Sequence, residues 1–546
     1  MYRFIYISSV FVSISCEFYS LHTNGTTVIG RIMYTVFENR PYVAFWKLPY
    51  AEAPVDGLRF KPPKPKPWPE KSICNYSIPY EETCSTATNE NCLFLSIYKP
   101  LSTKINFAVM VWIHEHSNLH GPDFLIDEGV IVIAVSFRIG IFGFLNTGDE
   151  FARGNMGAKD MLAALRWIRD NISYFSGDVN KVTVIGSGRA ASSVASFLLS
   201  PAAEDLYTRL IVQSDASLSP ALYKNYNFEI SNKLYWNLNG PFNKFNRTEL
   251  YEILRNSSAR RLSSVSTNLF DSSEVRDDQR LITAFGPTVE SSSKGAFMNK
   301  LPLDVNKRKL CNNNAGVLIG YTSLESLHKL SGFVHNRKLL TYLNYNFQYL
   351  LPFEGRKDIY GSRRYREIRR KIMDFYFVNG TIGERSLRRY AKYVSDQVIY
   401  PILRQAILQA EASCNKIYLY RFSRRGLLNA VWHSSLRNLN LTGATAGDEI
   451  CYQFRCKTLG DVYKNDNGAN DKLFVKKVAR LLANFAKFGD PTPRSDQLLR
   501  IKWEPLVGDT CIRAMNFGKK IKMVDVPERK RMEFWDALKR EYFDGN

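Results

Sequence analysis

The chain has 546 residues, 45% apolar and 23% charged, which excludes a low-complexity or collagen-like protein; its 34 Phe, 30 Tyr and 8 Trp are enough to fill a large core. Lys and Arg outnumber Asp and Glu by 74 to 52, a formal charge of +22. Such a field favours polyanionic surfaces, and outside a cell these are glycosaminoglycans or acidic proteins, with no nucleic-acid motif in the chain.

The N-terminus reads as a secretory signal over residues 1–15. Arg3 precedes the apolar run "FIYISSVFVSIS", and Ser13 and Ser15 provide small residues for cleavage near Cys16. No later segment offers about 18 uninterrupted apolar residues, so no transmembrane helix is expected. Seven N-x-S/T sequons agree with secretion and glycosylation: Asn24, Asn75, Asn171, Asn246, Asn256, Asn379 and Asn440. "TNGTTVIGRIMYTV" alternates like an antiparallel hairpin, and "FKPPKPKPWPE" reads as an extended loop. Cys84 and Cys92 are near enough to close a small loop, whereas Cys74, Cys311, Cys414, Cys451, Cys456 and Cys511 cannot be paired from sequence.

"FAVMVWI" and "VIVIAVSF" are continuous apolar runs, the pattern of strands buried on both faces. Between them "VWIHEHSNLHGPDF" carries His114, Glu115, His116 and His120. The spacing is not H-E-x-x-H and the context is strand end and loop, so no metal site and no cofactor are expected. "GAKDMLAALRWIRDNI" has helical period with Met161, Leu162, Leu165 and Ile168 on one side. "KVTVIGSGRAASSVASFLLS" reads as a buried strand, a glycine turn and a small-residue helix. "RLIVQS", "AGVLIGY" and "KIYLYRF" are further buried strands among helical stretches. This alternation predicts an α/β fold with one large, mostly parallel sheet covered by helices on both faces, and no linker divides residues 16–546. The densest basic block, "RKDIYGSRRYREIRRK", includes Arg363, Arg364, Arg369 and Arg370, a candidate polyanion surface.

The turn "GSGRA", Gly186 to Ala190, has the frame of a nucleophile elbow, G-x-S-x-G, in which a strained serine stands above the sheet. Its centre is Gly188, which can take the backbone conformation but has no hydroxyl. The surrounding text, "RIGIFGFLNTGDEFARGNMGAKDMLAALRWIRDNISYFSGDVNKVTVIG", resembles the type-B carboxylesterase/cholinesterase family. So do "LPYAEAPVDGLRFKPPKP", "NENCLFLSIYKP", "LFVKKVARLLANFAKFGDPTP" and "ERKRMEFWDAL", with phrasing closest to secreted insect esterases. The resemblance spans nearly the whole mature chain. It implies the α/β-hydrolase fold, a Cys84–Cys92 disulfide and an Arg59–Glu90 ion pair.

Carried over residue by residue, the family's catalytic serine falls on Gly188. Its acid falls on Glu325 in "GYTSLES", and its histidine on Ala446 in "GATAGDEICYQF". A serine hydroxyl needs an imidazole to take its proton and a carboxylate to orient that imidazole, and Glu325 alone does neither. The family also places glycines after "VWIH", whose N–H groups hold an oxyanion at about 2.7–4 kcal/mol per donor. Here Glu115, His116 and Ser117 take their place. Ser187 precedes the apex and should point away, and His433 reads as a packed or hydrogen-bonded side chain, so neither replaces a triad member. Arg189, just after the apex, is expected to pair with Glu115 and plug the old pocket. The resulting expectation is an inactive esterase homologue, not an enzyme, with a binding or adhesion role like those of glutactin-, neurotactin- and neuroligin-like proteins. An extracellular protein, a glycosaminoglycan or a small lipophilic ligand would be its partner, with oligomers forming through the C-terminal helix. The alternative is a carboxylic ester hydrolase of weak or unconventional activity.

Overall fold

The computed structural model describes residues 17–544, apart from 24, 80–83, 85–88, 117–118, 220–226, 241–242, 268, 271–283, 291–294, 301–314, 354–357, 413–414, 438, 465–468 and 509–511. The expected signal segment, Asn24 and Ser117, and Cys311, Cys414 and Cys511, therefore lie outside the described residues.

The N-terminal alternation forms β1 (Phe18–Thr23) and β2 (Thr26–Tyr34), paired antiparallel from Phe18↔Arg31 to Thr23↔Thr26. β3 (Pro41–Pro49) and β5 (Phe94–Pro100) complete the antiparallel side, and the short β4 (Ile73–Asn75) pairs parallel with β2. The apolar runs then give β6 (Phe107–Ile113), the short β7 (His120–Gly121), β8 (Ile131–Val135), β9 (Gly177–Ser187), β10 (Arg209–Gln213), β11 (Gly316–Thr322) and β12 (Ile417–Phe422). β13 (Arg455–Cys456), β14 (Arg513–Phe517) and β15 (Ile521–Asp525) follow.

The main sheet runs β1-β2-β3-β5-β8-β6-β9-β10-β11-β12-β14-β15. From β8 to β14 every neighbouring pair is parallel, and the flanking pairs are antiparallel. Every residue of β6 and β8 is buried, because helices cover both faces of the parallel region. Val109, Val111 and Ile113 pack into one core layer, and Met110 and Trp112 into the other. The helix Met156–Asn171 lies in the first layer with Met161, Leu162, Leu165 and Ile168 buried, and the helix Ala469–Phe488 covers the second. This is the α/β-hydrolase architecture, with β9 and its following turn at the centre of the parallel region.

Two expected links at the periphery are present. Cys84 and Cys92 form a disulfide. Arg59 Nε donates to Glu90 Oε2 at 2.9 Å, and its Nη2 donates to Glu90 Oε1. Arg59 Nη1 also donates to the carbonyls of Leu254, Arg255 and Ser257, at 2.9, 2.9 and 2.8 Å, at the end of the helix Arg247–Asn256. The ion pair is also a helix C-cap, a role the sequence did not announce. Arg59→Ala should therefore cost at least about 2 kcal/mol in urea denaturation, since it strips several acceptors at once.

The sequon set needs one correction. Asn171 is only 7% exposed and its Nδ2 donates to Trp167 O at 2.8 Å, so the folded chain does not present it to a glycan. Asn75, Asn246, Asn256, Asn379 and Asn440 are exposed. Among the described residues, no helix is long and apolar enough to cross a membrane.

Candidate functional site

The elbow is preserved as backbone. β9 ends at Ser187, the helix Arg189–Ser196 begins two residues later, and Gly188 between them sits at φ 59° and ψ −132°. Gly188 N donates to Gln213 O at 3.2 Å, and Ala191 N donates to Gly188 O at 3.0 Å. At Gly186 a Cβ would fall 2.7 Å from Val194, so the helix can press onto the strand end only over a glycine. At Gly188 the position of a Cβ has no atom within 4 Å. The turn that would display a nucleophile is present, and open space stands where the side chain would be. Ser187 is 2% exposed.

Glu325 and Ala446, the positions that the resemblance assigns to the acid and the histidine, lie against each other. Glu325 follows β11, 2% exposed, with Oε1 accepting from Thr322 N at 2.6 Å. Ala446 N donates to Glu325 O at 3.2 Å, and Thr445 Oγ1 donates to the same carbonyl at 3.2 Å. Glu449, 1% exposed, accepts from Ser214 Oγ through Oε1 at 3.0 Å. Burial pushes both carboxyls above the usual carboxylate range, and the neighbouring Glu325 raises Glu449 further because two neighbouring negative charges are costly in a dry site. Asp215, beside Ser214, is likewise pushed up to about 7 by burial. Sequence reading missed Glu449, Ser214 and Asp215 because it compared only triad and oxyanion positions.

It also missed His328. This imidazole lies beside Ala446: its Nδ1 is 2.9 Å from Thr445 Oγ1, and burial lowers its pKa to about 4. His433, by contrast, is exposed and its Nε2 bonds Gly426 O at 3.0 Å, as expected of a structural side chain.

The altered oxyanion loop is tied down by rings. His114 stacks on Trp112 at 5.2 Å, His120 meets His114 edge-on at 5.2 Å, and Phe454 packs on Trp112 at 4.4 Å. His114 Nδ1 accepts from His116 N at 3.0 Å. β7 pairs with β13 through Cys456↔His120 and Arg455↔Gly121, and a Cys451–Cys456 disulfide closes the β13 side. That disulfide was not legible beforehand. Burial lowers the His120 pKa to about 4. A histidine lowered in the fold contributes stability that is present above its unfolded pKa, near 6.5, and is lost as pH falls through the folded value. His120→Gln should therefore flatten the decline in unfolding free energy between pH 6.5 and 4 by up to about 3 kcal/mol, followed by urea titration at each pH.

Arg189 Nε lies 3.5 Å from Glu115 Oε1, so the expected pair forms. The expected plug does not, because the Arg189 side chain is 77% exposed and Glu115 only 20%. Arg189 lies on the solvent side of Glu115, and such an exposed pair is worth at most about 1 kcal/mol.

The basic block also needs correction. On the helix Arg363–Tyr376 the buried face carries Tyr365, Ile368, Ile372, Met373 and Tyr376. Arg369 donates to Phe347 O and Asn344 O at 3.0 and 2.9 Å. Arg364 pairs with Asp358 at 3.1 Å and lies over the Phe543 ring. Both are structural. Arg363, Arg366 and Arg370 are exposed, one turn apart along the outer face. The terminal helix Arg529–Tyr542 packs on this region through Phe534, stacked on Phe375 at 4.0 Å, and through Trp535 Nε1, which donates to Tyr376 Oη at 2.8 Å.

A sheet with an elbow after its central strand, an acid after the next but one, and a histidine-position loop against that acid is the scaffold of an ester hydrolase. A carboxylesterase family model matches residues 18–535. The chain belongs to the carboxylesterase family. Among curated relatives, Esterase E4 of Myzus persicae is 29% identical over 505 residues, covering 88% of this chain and 87% of that protein. The carboxylic ester hydrolase of Bombus ignitus is 29% identical, covering 91% and 90%. A juvenile hormone esterase of Tribolium castaneum is 26% identical, covering 89% and 85%. In this carboxylesterase-family chain, the elbow apex and the residue facing Glu325 are Gly188 and Ala446.

Proposed function

We propose that this carboxylesterase-family chain is a secreted, glycosylated and non-catalytic binding protein, built as one domain over residues 16–546. The observation that carries the reading is Gly188, an elbow apex at φ 59° with no hydroxyl and open space above it. Ala446 beside Glu325 removes the base, and Glu115 in the former glycine loop would oppose an oxyanion. Ser187 does not repair this, because it is buried at the strand end. The test is to incubate the purified protein with short acyl p-nitrophenyl esters and a fluorophosphonate probe. We expect no burst and no labelled serine; stoichiometric labelling would overturn the reading.

The second reading, a weak or unconventional ester hydrolase, draws on His328, an imidazole within hydrogen-bond reach of the residue before Ala446. The relatives' names agree with it. It requires hydrolysis that disappears in His328→Ala.

For the polyanion surface the reading now rests on Arg363, Arg366 and Arg370. Neutralising these three to Gln should lower the salt needed for elution from heparin while leaving the melting temperature within a degree or two, because the three are exposed. An unchanged elution profile would remove the patch from the proposal. The terminal helix is the surface on which oligomers would form, its outward residues including Glu533, Ala537 and Arg540.

A further inference from the structure

We propose that the cavity between the proline-rich loop and the helix Met156–Asn171 binds a small amphipathic anion, an aromatic carboxylate whose ring lies on Trp68 and Trp167 and whose charge meets Lys66 and Arg166. None of the residues lining this cavity belongs to the site built on Gly188, Glu325 and Ala446. The inference therefore stands whether or not the chain hydrolyses esters.

The cavity encloses about 500 Å³, a volume that suits a small molecule. Its helix wall follows the helical period through Lys159, Leu162, Ala163, Arg166, Trp167 and Asp170, which share one face. The facing wall is Pro62, Pro63, Pro65 and Pro67, residues that carry no N–H and so need no partner there. That wall is tied to the strand side of the fold: Lys66 N donates to Tyr50 O at 3.1 Å and Glu52 N to Lys64 O at 2.8 Å. Trp68, at the end of the loop, joins the two walls, its ring 5.8 Å from Trp167 and 5.4 Å from Tyr174. The apolar surface of the cavity is thus rigid and rich in flat rings.

The charges divide into paired and unpaired. Lys159 is held by Glu290 Oε2 at 2.6 Å, Arg169 by Asp170 Oδ1 at 3.2 Å, and Lys64, beside the cavity, by Glu52 Oε1 at 2.9 Å. Among the described residues, Lys66 and Arg166 meet no carboxylate, and Arg166 Nη2 donates only to Ala202 O, at 3.1 Å. Partial desolvation and the nearby charge of Arg169 lower the Arg166 pKa, as expected of a cation set beside another cation with no anion between them. Trp68 adds a donor: its Nε1 is buried with no hydrogen-bond partner among the described residues. Buried N–H groups are seldom left so.

The cavity therefore offers positive charge and an N–H beside apolar rings, while Asp170, the acid that lines it, is engaged by Arg169. A carboxylate on a flat ring uses all of these features, with ring area against the indoles and oxygens for the cations and the N–H. A neutral apolar molecule would leave Lys66 and Arg166 uncompensated. A bare inorganic anion would leave the indole faces in water.

The experiment is calorimetric titration of the full chain at low salt with 2-naphthoate, with 2-naphthalenemethanol as its neutral counterpart and sodium sulfate as the bare anion. We expect saturable one-to-one binding of naphthoate, at least about tenfold tighter than either control. Arg166→Gln and Lys66→Gln should each weaken naphthoate at least about fivefold and leave naphthalenemethanol unchanged, because they remove charge and not ring contact. Both side chains are exposed, so these variants should keep the thermal transition of the parent chain. Trp68→Phe keeps a ring and drops the N–H, and should weaken naphthoate by about threefold. Equal affinity for the acid and the alcohol, sulfate binding as tightly as naphthoate, or parental affinity in both glutamine variants would overturn the inference.

Discussion

The double variant Gly188→Ser, Ala446→His should be labelled by a fluorophosphonate, while either single variant remains unlabelled. The backbone required of the nucleophile is already in place at φ 59° and ψ −132°, stabilised by Gly188 N on Gln213 O and by the helix that starts at Arg189. A serine there meets no atom within 4 Å of its Cβ and costs only the strain of that conformation, roughly 1–3 kcal/mol. Ala446 is pinned by its own N–H to Glu325 O, and Glu325 Oε2 is free to accept the N–H of a restored imidazole. Neither variant alone assembles a charged-relay geometry, because nucleophile, base and orienting acid act as a unit. Turnover should nevertheless be slow. Glu115 and His116 still occupy the glycine loop, and each missing oxyanion donor costs about 10²–10³ in rate. Adding Glu115→Gly to the double variant should raise p-nitrophenyl acetate hydrolysis by at least about tenfold, as a repulsive carboxylate leaves the oxyanion's position. If the folded double variant resists labelling, Gly188 and Ala446 are not the only departures that keep a serine there from reacting, and the ring-packed His114 and His120 are the next residues to change.

Much of this was legible before any coordinates. The apolar runs became β6, β8, β9, β10, β11 and β12 because strands buried on both faces tolerate no polar interruption. The elbow was legible because Gly186 and Gly188 are dictated by sterics, one by a helix pressed against it and the other by a positive φ. What escaped were relations across long separations. His328 and Thr445 meet over 117 residues, and Gln213 and Tyr420 over 207, with nothing local to announce either contact. The Cys451–Cys456 disulfide looked like any unpaired couple until β13 was seen to run beside β7. The arginine assignments failed for a different reason. A wheel drawn through Tyr365, Ile368 and Ile372 puts Arg364 and Arg369 on the flanks of the buried face, where long side chains reach carbonyls of neighbouring segments. Counting charges in the block ignored that periodicity. Asn171 escaped similarly, as a sequon at the last turn of a helix whose side chain turns inward to its own backbone.

Asp160→Ala should be the most destabilising single substitution proposed here, at about 3–5 kcal/mol in urea denaturation. Asp160 lies inside the helix Met156–Asn171 at 0% exposure, and Arg138, after β8, is 3% exposed. The guanidinium donates through Nε to Oδ2 at 2.8 Å and through Nη2 to Oδ1 at 2.7 Å, and Arg138 N adds a third bond to Oδ2 at 3.1 Å. Removing the carboxylate leaves a buried guanidinium without its only counter-ion among the described residues, which is the costly direction in which to break such a pair. The surroundings cannot relax to admit water cheaply. Gly143 and Gly157 both close on Arg138 O, where a Cβ at either would fall at 2.1 or 2.2 Å, so the loop is held by backbone contact as well as by charge. Replacing both partners with apolar residues, Arg138→Met with Asp160→Leu, should recover most of the loss, since an unpaired charge costs more than an absent pair. The comparison also tests what the pair is for. If the double variant regains stability, the pair adds no net stability over apolar packing, and its role is to fix the loop after β8 against the helix Met156–Asn171. A single variant that costs less than about 1 kcal/mol would mean that Arg138 reaches solvent, and the rigid loop inferred from the two glycines would have to be abandoned.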